Sequence, residues 1–452
     1  MSRRLRACAF GLAASLAALP AFADDAARTP DFVPDGSIAG SLPKNGDPLG
    51  WRAALYDKGI KFNLFYIGET FGNPVGGQQQ GAIYEDRFQA LIDIDTNKLV
   101  GWKDGLIHFD LQQIDGTGLS RYFVGNLNTV SYIEALHSTR LYEAYFDQHF
   151  FNDRVSVHIG QLGADNQFII STYAQLMINS SFGFPQFAAS NLPGGGAAYP
   201  LATPGVSVKL NATDNLTIIT AVYNGDPADP NAADPQVNNR WGTNFRVQDP
   251  PTIFSEGQFR YNTDKNALWL PGTVKVGIYD NLMPFPRGVF TPVEPLLTGG
   301  NVQGIYGVLD QQIYRLSAST PDKGVGFFLR GSVSPEESSV VDYYIDSGLN
   351  FSGLVPGRGD DSFGFAAAFT HISAAAREQD VLTAETIPGY PIRNYEATIE
   401  ATYQAQMMPG FTLQPDFQYS IHPGANAPNP NDPAGRPIKN AVILGLRASL
   451  SY

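Results

Sequence analysis

The strongest constraint on this chain is a strict alternation of apolar and polar side chains, held over long stretches of its C-terminal third. From Tyr395 to Met407 one face reads Tyr395, Ala397, Ile399, Ala401, Tyr403, Ala405, Met407 and the other Glu396, Thr398, Glu400, Thr402, Gln404, Gln406. Phe411 to Ile421 repeats it, with Phe411, Leu413, Phe417, Tyr419 and Ile421 opposing Thr412, Gln414, Asp416, Gln418 and Ser420. The last stretch sets Val442, Leu444, Leu446, Ala448, Leu450 and Tyr452 against Ile443, Gly445, Arg447, Ser449 and Ser451. A period of two is the signature of a β-strand, whose successive side chains point to opposite faces. Strands of roughly 11 to 13 residues exceed the usual five or six and match a strand that crosses a bilayer at a tilt.

The same criterion predicts strands near 60–68, 83–94, 105–113, 140–149, 154–162, 205–212, 214–223, 253–263, 272–281, 304–315, 324–334, 339–348, 362–373, 393–406, 410–421 and 439–451. The count is sixteen, and even. Connections after even strands include 150–153, 213 and 407–409, whereas those after odd strands include 114–139, 163–204, 224–252 and 282–303. Two break the rule: 335–338 is short on the long side, and 349–361 is long on the short side. This asymmetry predicts an all-β fold, a transmembrane antiparallel β-barrel of 16 strands with short periplasmic turns, long extracellular loops and one loop folded into the lumen. A soluble sandwich also alternates, but with shorter strands and turn signals every 8 to 12 residues, and no propeller-type repeat is visible. Sixteen strands in one ring enclose a lumen too wide for side chains to fill, so a polar inner face lines a solvated channel.

Composition narrows the function classes. The chain has 452 residues and is 16 % charged, below the roughly 25 % of a typical soluble protein. Its net charge of −13 opposes a nucleic-acid binder, its single cysteine, Cys8, opposes a disulfide scaffold, and 43 % hydrophobic content opposes disorder. Residues 1–23 read as a signal peptide: Arg3, Arg4 and Arg6, an apolar run from Ala7 to Leu19 too short to span a bilayer, then Ala21-Phe22-Ala23. Their removal takes away three arginines and no acid, leaving a net charge of −16. Residues 24–59 read as a periplasmic leader ending in a short helix from Trp51 to Lys58, preceded by Asp47 and Pro48 and stopped by Gly59. Residues 60–452 are the expected barrel domain.

No motif offers catalysis a seat. There are 6 histidines, without HExxH spacing, and neither GxSxG nor GxxxxGK[ST] occurs. No cofactor and no metal is expected. Asp93, Asp95, Asn97 and Asp104 imitate a calcium loop, but Lys98 stands where that loop needs glycine. Arg358-Gly359-Asp360 reads as a turn, and 224–235 as a solvated surface loop.

The connection 163–204 is too long and too apolar for an idle surface loop, which points it into the lumen, where it narrows the pore. Its Asn179, Ser180, Ser181 and Asn191 can bond sugar hydroxyls, and its Phe182, Phe184 and Tyr199 can stack on the apolar face of a pyranose. Anchoring the loop to the wall is an equally open role for each. Strand parity turns Arg87, Gln89, His108, Asp110, Gln112, Glu143, Asp147, Arg330, Glu396, Glu400, Asp416, Gln418 and Arg447 inward, most of them to solvate the wall. Arg87, beside Glu85 and Asp86, is the candidate cation of the constriction.

Three stretches carry a family resemblance. Leu91 to His108 (LIDIDTNKLVGWKDGLIH), Asn179-Ser-Ser-Phe-Gly-x-Pro185 and Pro193-Gly-Gly-Gly-Ala-Ala-Tyr-Pro200 resemble the carbohydrate-selective porin family of OprB type, over about Gly50 to Tyr452. The resemblance implies a monomeric sixteen-stranded barrel in the outer membrane of a Gram-negative bacterium, admitting monosaccharides such as glucose by passive diffusion. It implies small neutral sugars and outer-membrane lipid as partners, and no nucleic acid. Tyr452 departs from the usual terminal phenylalanine, yet an aromatic still serves the signal to the outer-membrane assembly machinery. Two other readings stay open. A general or cation-preferring porin is favoured by the −16 charge and by Glu396, Glu400 and Asp416, while an anion channel would need a lysine or arginine ladder. An outer-membrane or secreted enzyme acting on lipid or polysaccharide is opposed by the missing nucleophile motifs.

Overall fold

The computed structural model describes residues 30–264, 267, 269–283 and 301–452. Its strands are β1 Ile60–Gly77, β2 Gly81–Asp95, β3 Gly105–Gly116, β4 Ser138–Phe150, β5 Val155–Leu162, β6 Thr203–Asn211, β7 Leu216–Tyr223 and β8 Thr252–Tyr261, then β9 Gly272–Asn281, β10 Val302–Ser317, β11 Thr320–Val333, β12 Val341–Ser352, β13 Ser362–Ile372, β14 Tyr395–Met408, β15 Phe411–Ile421 and β16 Lys439–Ser451. Each pairs antiparallel with its neighbours in sequence, and β1 pairs with β16 to close one barrel. The seam runs to the last residue: the Tyr452 and Leu64 amides each donate to the other's carbonyl at 2.8 Å.

All sixteen expected strands are present. The largest difference is β1, which continues to Gly77 instead of stopping at 68. It passes Pro74 because register shifts between Gly72 and Val75 and between Val75 and Gly77 remove the ladder bond that proline cannot donate. Gly76 makes the second shift possible at φ +75°, where a Cβ would lie 1.7 Å from the Asn440 carbonyl oxygen.

Alternation sorts the side chains as a lipid-facing barrel requires. On β14, Ile399 is 45 % exposed on the outer face while Glu396 and Glu400 are fully buried inside. The inner face is not uniformly polar, however. Six consecutive strands, β7 to β12, each turn one aromatic ring inward: Tyr223, Phe254, Tyr279, Tyr306, Phe328 and Tyr344. The connection 163–202 covers them with Phe168, Ile169, Phe182, Phe187 and Leu192, so the main apolar core lies inside the barrel. A second cluster joins Leu119, Val124 and Val130 of the connection 117–137 to Phe71, Ile83, Ala441 and Ile443.

The connections 151–154, 212–215, 318–319 and 409–410 are tight turns at one end of the barrel, and 117–137, 163–202, 224–251, 373–394 and 422–438 are long and lie at the other. The connection 78–80 is short on the long side, as is 334–340. One long connection holds a helix that the two-residue period passes over, Ala374–Thr386, capped where the Ala376 amide donates to Ser373 Oγ. Its buried Asp380 pairs with Arg393 at 2.9 Å.

Before the barrel, a helix forms over Trp51–Asp57, its Ala53 amide donating to Asp47 Oδ2 at 3.0 Å. Arg52 donates to the Phe62 carbonyl at 3.0 Å and stacks over the rings of Phe62 and Tyr452. This ties the leader to the seam. The expected signal peptide, residues 1–23, lies outside the described residues.

The lumen constriction as candidate functional site

Inward acids of the wall hold the loops in place through backbone amides. Glu396 accepts from Leu127 and Asn128 N–H, both at 2.7 Å, and from Gly424 N–H at 2.7 Å. Glu400 accepts from Ile178 and Asn179 N–H at 2.6 and 3.0 Å. Asp310 receives Ser171 Oγ and Thr172 N–H, and Glu256 receives Ile169 N–H. Arg330 does the converse: paired with Asp346, it donates to the carbonyls of Ile169, Ser181 and Gly183 at 2.7–3.1 Å. Charged hydrogen bonds of this kind are the strong ones, and here they fix a loop whose only regular structure is the short helix Gln186–Asn191 and three single helical turns.

This corrects the reading of several inward charges as channel-wall solvation. Arg330, Glu396, Glu400, Asp416, Gln418 and Arg447 are covered by the folded loops. Asp416 accepts from Gln418, which also donates to the Val130 carbonyl. Arg447 pairs with Glu69, donates to Ser131 Oγ and stands over the Tyr132 ring. Asp147 sits lower on β4, tied to His149 and His158 at 2.9 and 3.4 Å.

What the loops leave open is a cavity of about 690 Å³ against β2, β3 and β4. Of the expected constriction residues, Arg87, Ser180, Phe184 and Tyr199 line it, as do the wall residues Gln89, His108, Asp110, Gln112 and Glu143. Asn179 and Asn191 do not. Asn179 Nδ2 donates to the Asn128 carbonyl and Gln418 Oε1, and Asn191 bridges Val340 and Val341 on the far wall. Both are loop anchors, because every strong donor and acceptor they carry is taken by loop or wall.

Arg87 stands between two rings, 5.8 Å from the Tyr132 centroid and 5.2 Å from that of Tyr199, with no ion pair among the described residues. Tyr199 is held by its hydroxyl on the Ile133 carbonyl at 2.7 Å and by its amide on Asp165 at 3.0 Å. Tyr142 donates to the same Asp165 and meets Tyr199 edge to face. Burial pushes the Asp165 carboxyl up from its ordinary value, against the hydrogen bonds from Tyr142 and Tyr199 that pull it down. Asp110 accepts from Gln89 and Gln112, and Glu143 from Gly163 N–H and Asn166, so the acids of this wall are already hydrogen-bonded within it.

Sequence reading missed Tyr132, Tyr142, Tyr145, Asn166 and Gln186 in this lining. Tyr145 shares the parity of Glu143 and was legible. Tyr142 was not, because a bulge opposite Asp110 and Leu111 inserts it into β4 and turns it inward beside Glu143. Among the described residues, no group of three or more His, Cys, Asp or Glu is placed to hold a metal ion.

Residues 79–452 match the family model of the carbohydrate-selective porins, OprB family. The chain belongs to that family. Porin B of Pseudomonas aeruginosa is 23 % identical over 431 residues, covering 89 % of each chain. The putative porin QuiX of Acinetobacter baylyi is 22 % identical over 436 residues, covering 90 % of this chain and 92 % of its own. The high-pH structure of Pseudomonas putida OprB superimposes with a TM-score of 0.76 at 22 % identity, over 90 % of this chain and 98 % of that one. As an OprB-family protein the chain is a porin for the diffusion of sugars across the outer membrane of a Gram-negative bacterium, a channel by fold and family.

Proposed function

We propose that this porin selects monosaccharide-sized neutral sugars in the cavity between the 163–202 loop and the β2–β4 wall. The observation that carries the reading is Arg87, an unpaired guanidinium held between the rings of Tyr132 and Tyr199. A sugar has an apolar ring face and a rim of hydroxyls, and this constellation offers rings for the first and fixed donors for the second. Ser180, Gln89 and Asn166 extend the polar rim. Binding there is weak by design of the chemistry, since conduction requires that the solute leave again. A cation-preferring channel draws less support, because Glu396, Glu400 and Asp416 are covered by loops and do not line the cavity.

Several further assignments belong to this proposal. Residues 1–23 direct export and are removed, the tight turns face the periplasm, Tyr452 presents the assembly signal, and one chain suffices as the working unit. The test is single-channel conductance of the purified protein in a planar bilayer during titration with glucose. Saturable block is expected at millimolar glucose, weakened roughly tenfold by Arg87→Ala, a loss of about 1.4 kcal/mol. Conductance indifferent to glucose would defeat the proposal.

A further inference from the structure

Below the constriction, toward the tight turns, the inner wall of β5 to β9 changes character. A second cavity of about 300 Å³ adjoins the first, sharing Asn166 with it, and two of its lining residues are Lys209 and Lys275. Among the described residues, no aspartate or glutamate lines it. Lys209 is exposed and makes no ion pair or side-chain hydrogen bond among the described residues. Lys275 is largely buried, and its Nζ donates to the Ile170 carbonyl at 2.6 Å, which points its charge at the loop floor of the same cavity. The rest of the lining is His158, which faces Asp147 at 3.4 Å, the apolar Ile170 and Ile219, and neutral polar groups. Gln167 Oε1 accepts from Ser207 Oγ, leaving its Nε2 as a donor, and Ser156 and Gln258 stand beside it.

The nearest acid on β8, Glu256, is buried and already accepts from Ile169 N–H, Tyr306 and Gln258. A third cavity, of about 550 Å³, continues from the second through Lys209 and Gln258 to the barrel end and adds Arg154 and Arg260. It also holds Asp153, bound to His149 at 2.8 Å, and Asp214, whose backbone carbonyl accepts from Arg260. Cations therefore outnumber acids along this lower track, although the whole chain is acidic.

The geometry points to a second subsite, centred on Lys209 and Lys275, for the carboxylate of an anionic sugar of the aldonate or uronate class. The ammonium groups and Gln167 Nε2 receive the carboxylate, while Ser156, Gln258 and Asn166 face the hydroxyls. A cavity of about 300 Å³ has room for one monosaccharide. Two lysines with no carboxylate partner among the described residues, one exposed and one held at the loop floor, raise the local concentration of an anion, which breaks no internal salt bridge when it enters. The inference rests on the reading of the barrel as a sugar channel, and adds charge selection to it.

The test uses the full-length porin in a planar bilayer at about 0.1 M KCl, where the screening length is about 10 Å and the lysine field survives. Block is titrated with D-glucose, D-glucuronate and acetate, in the native protein and in Lys209→Gln, an exposed position whose loss leaves the loop contacts intact. Glucuronate is expected to block at least about tenfold more tightly than glucose, equivalent to about 1.4 kcal/mol, with acetate weaker than both. Lys209→Gln brings glucuronate down to within about twofold of glucose and leaves glucose block unchanged. Lys275→Gln acts in the same direction. Equal block by glucose and glucuronate, glucuronate block indifferent to Lys209→Gln, or acetate as effective as glucuronate would each overturn the subsite. Absence of block by glucose itself would instead strike the sugar-channel reading, so the two failures are distinguishable.

Discussion

Asn179 and Asn191 show what a sequence says about single residues and what it withholds. Both are amides in an inward loop of a sugar porin, chemically suited to bind a hydroxyl, yet each is taken by partners far along the chain or in another loop: Asn179 by the Asn128 carbonyl and the Gln418 side chain, Asn191 by the main chain of Val340 and Val341. Backbone N–H and C=O groups carry no sequence signature, so an amide that meets them cannot be told from one that meets a ligand. Arg87 was legible because strand parity alone turns a cation beside Glu85 and Asp86 toward the lumen, whereas its place between two rings was not. Asp226 gives a prediction at this scale. Burial pushes its carboxyl up to about 6, with its Oδ1 accepting from Ala228 N–H and lying where a Cβ on Gly194 would meet it at 2.9 Å. A raised carboxyl favours the docked loop while neutral, so this contribution is complete below about pH 4 and is lost as the pH climbs through about 6. Amide protection factors in 224–251 should fall between about pH 4 and 6 and level off above that, and Asp226→Asn should flatten the dependence.

Among the elements, the 163–202 loop is the one whose existence was readable and whose fastening was not. Its length and apolar density announced that it folds inward, but the six inward rings of β7 to β12 that receive it lie on strands where parity alone was being read. Arg330 is the tightest fastening. It is buried with Asp346 and reaches three loop carbonyls, so removing it strands a buried acid as well as the loop. Arg330→Met should lower stability by about 3–5 kcal/mol, the usual cost of breaking a buried pair from one side. Denaturant titration followed by the loss of heat-modifiable migration on a gel measures it, and a change below about 1 kcal/mol would mean that the loop is held elsewhere. The helix Ala374–Thr386 was missed for a plainer reason: a search for alternation does not see a period of 3.6, although Ser373 before three alanines is an ordinary helix start.

For the whole molecule, strand number and order were legible because lipid outside and water inside impose one rule on every strand, and the rule is strongest where the strands are longest. The width of the passage was not, since it depends on which loops fill the ring. Replacing 164–201 by a short glycine-serine linker should raise single-channel conductance roughly three- to tenfold, as expected for a sixteen-stranded ring without its filling, and abolish sugar block. An unchanged conductance would place the narrowing in another loop. The loop has a further consequence, which concerns time. It follows β5, but its partners stand on β8, β10, β11, β12, β14 and β15, up to 239 residues further along the chain. The narrow passage therefore cannot exist until β8 to β15 stand in one sheet, so a segment that ends at β5 and its loop would be an unfiltered surface. Discrimination between solutes therefore belongs to the assembled ring and to no half of it.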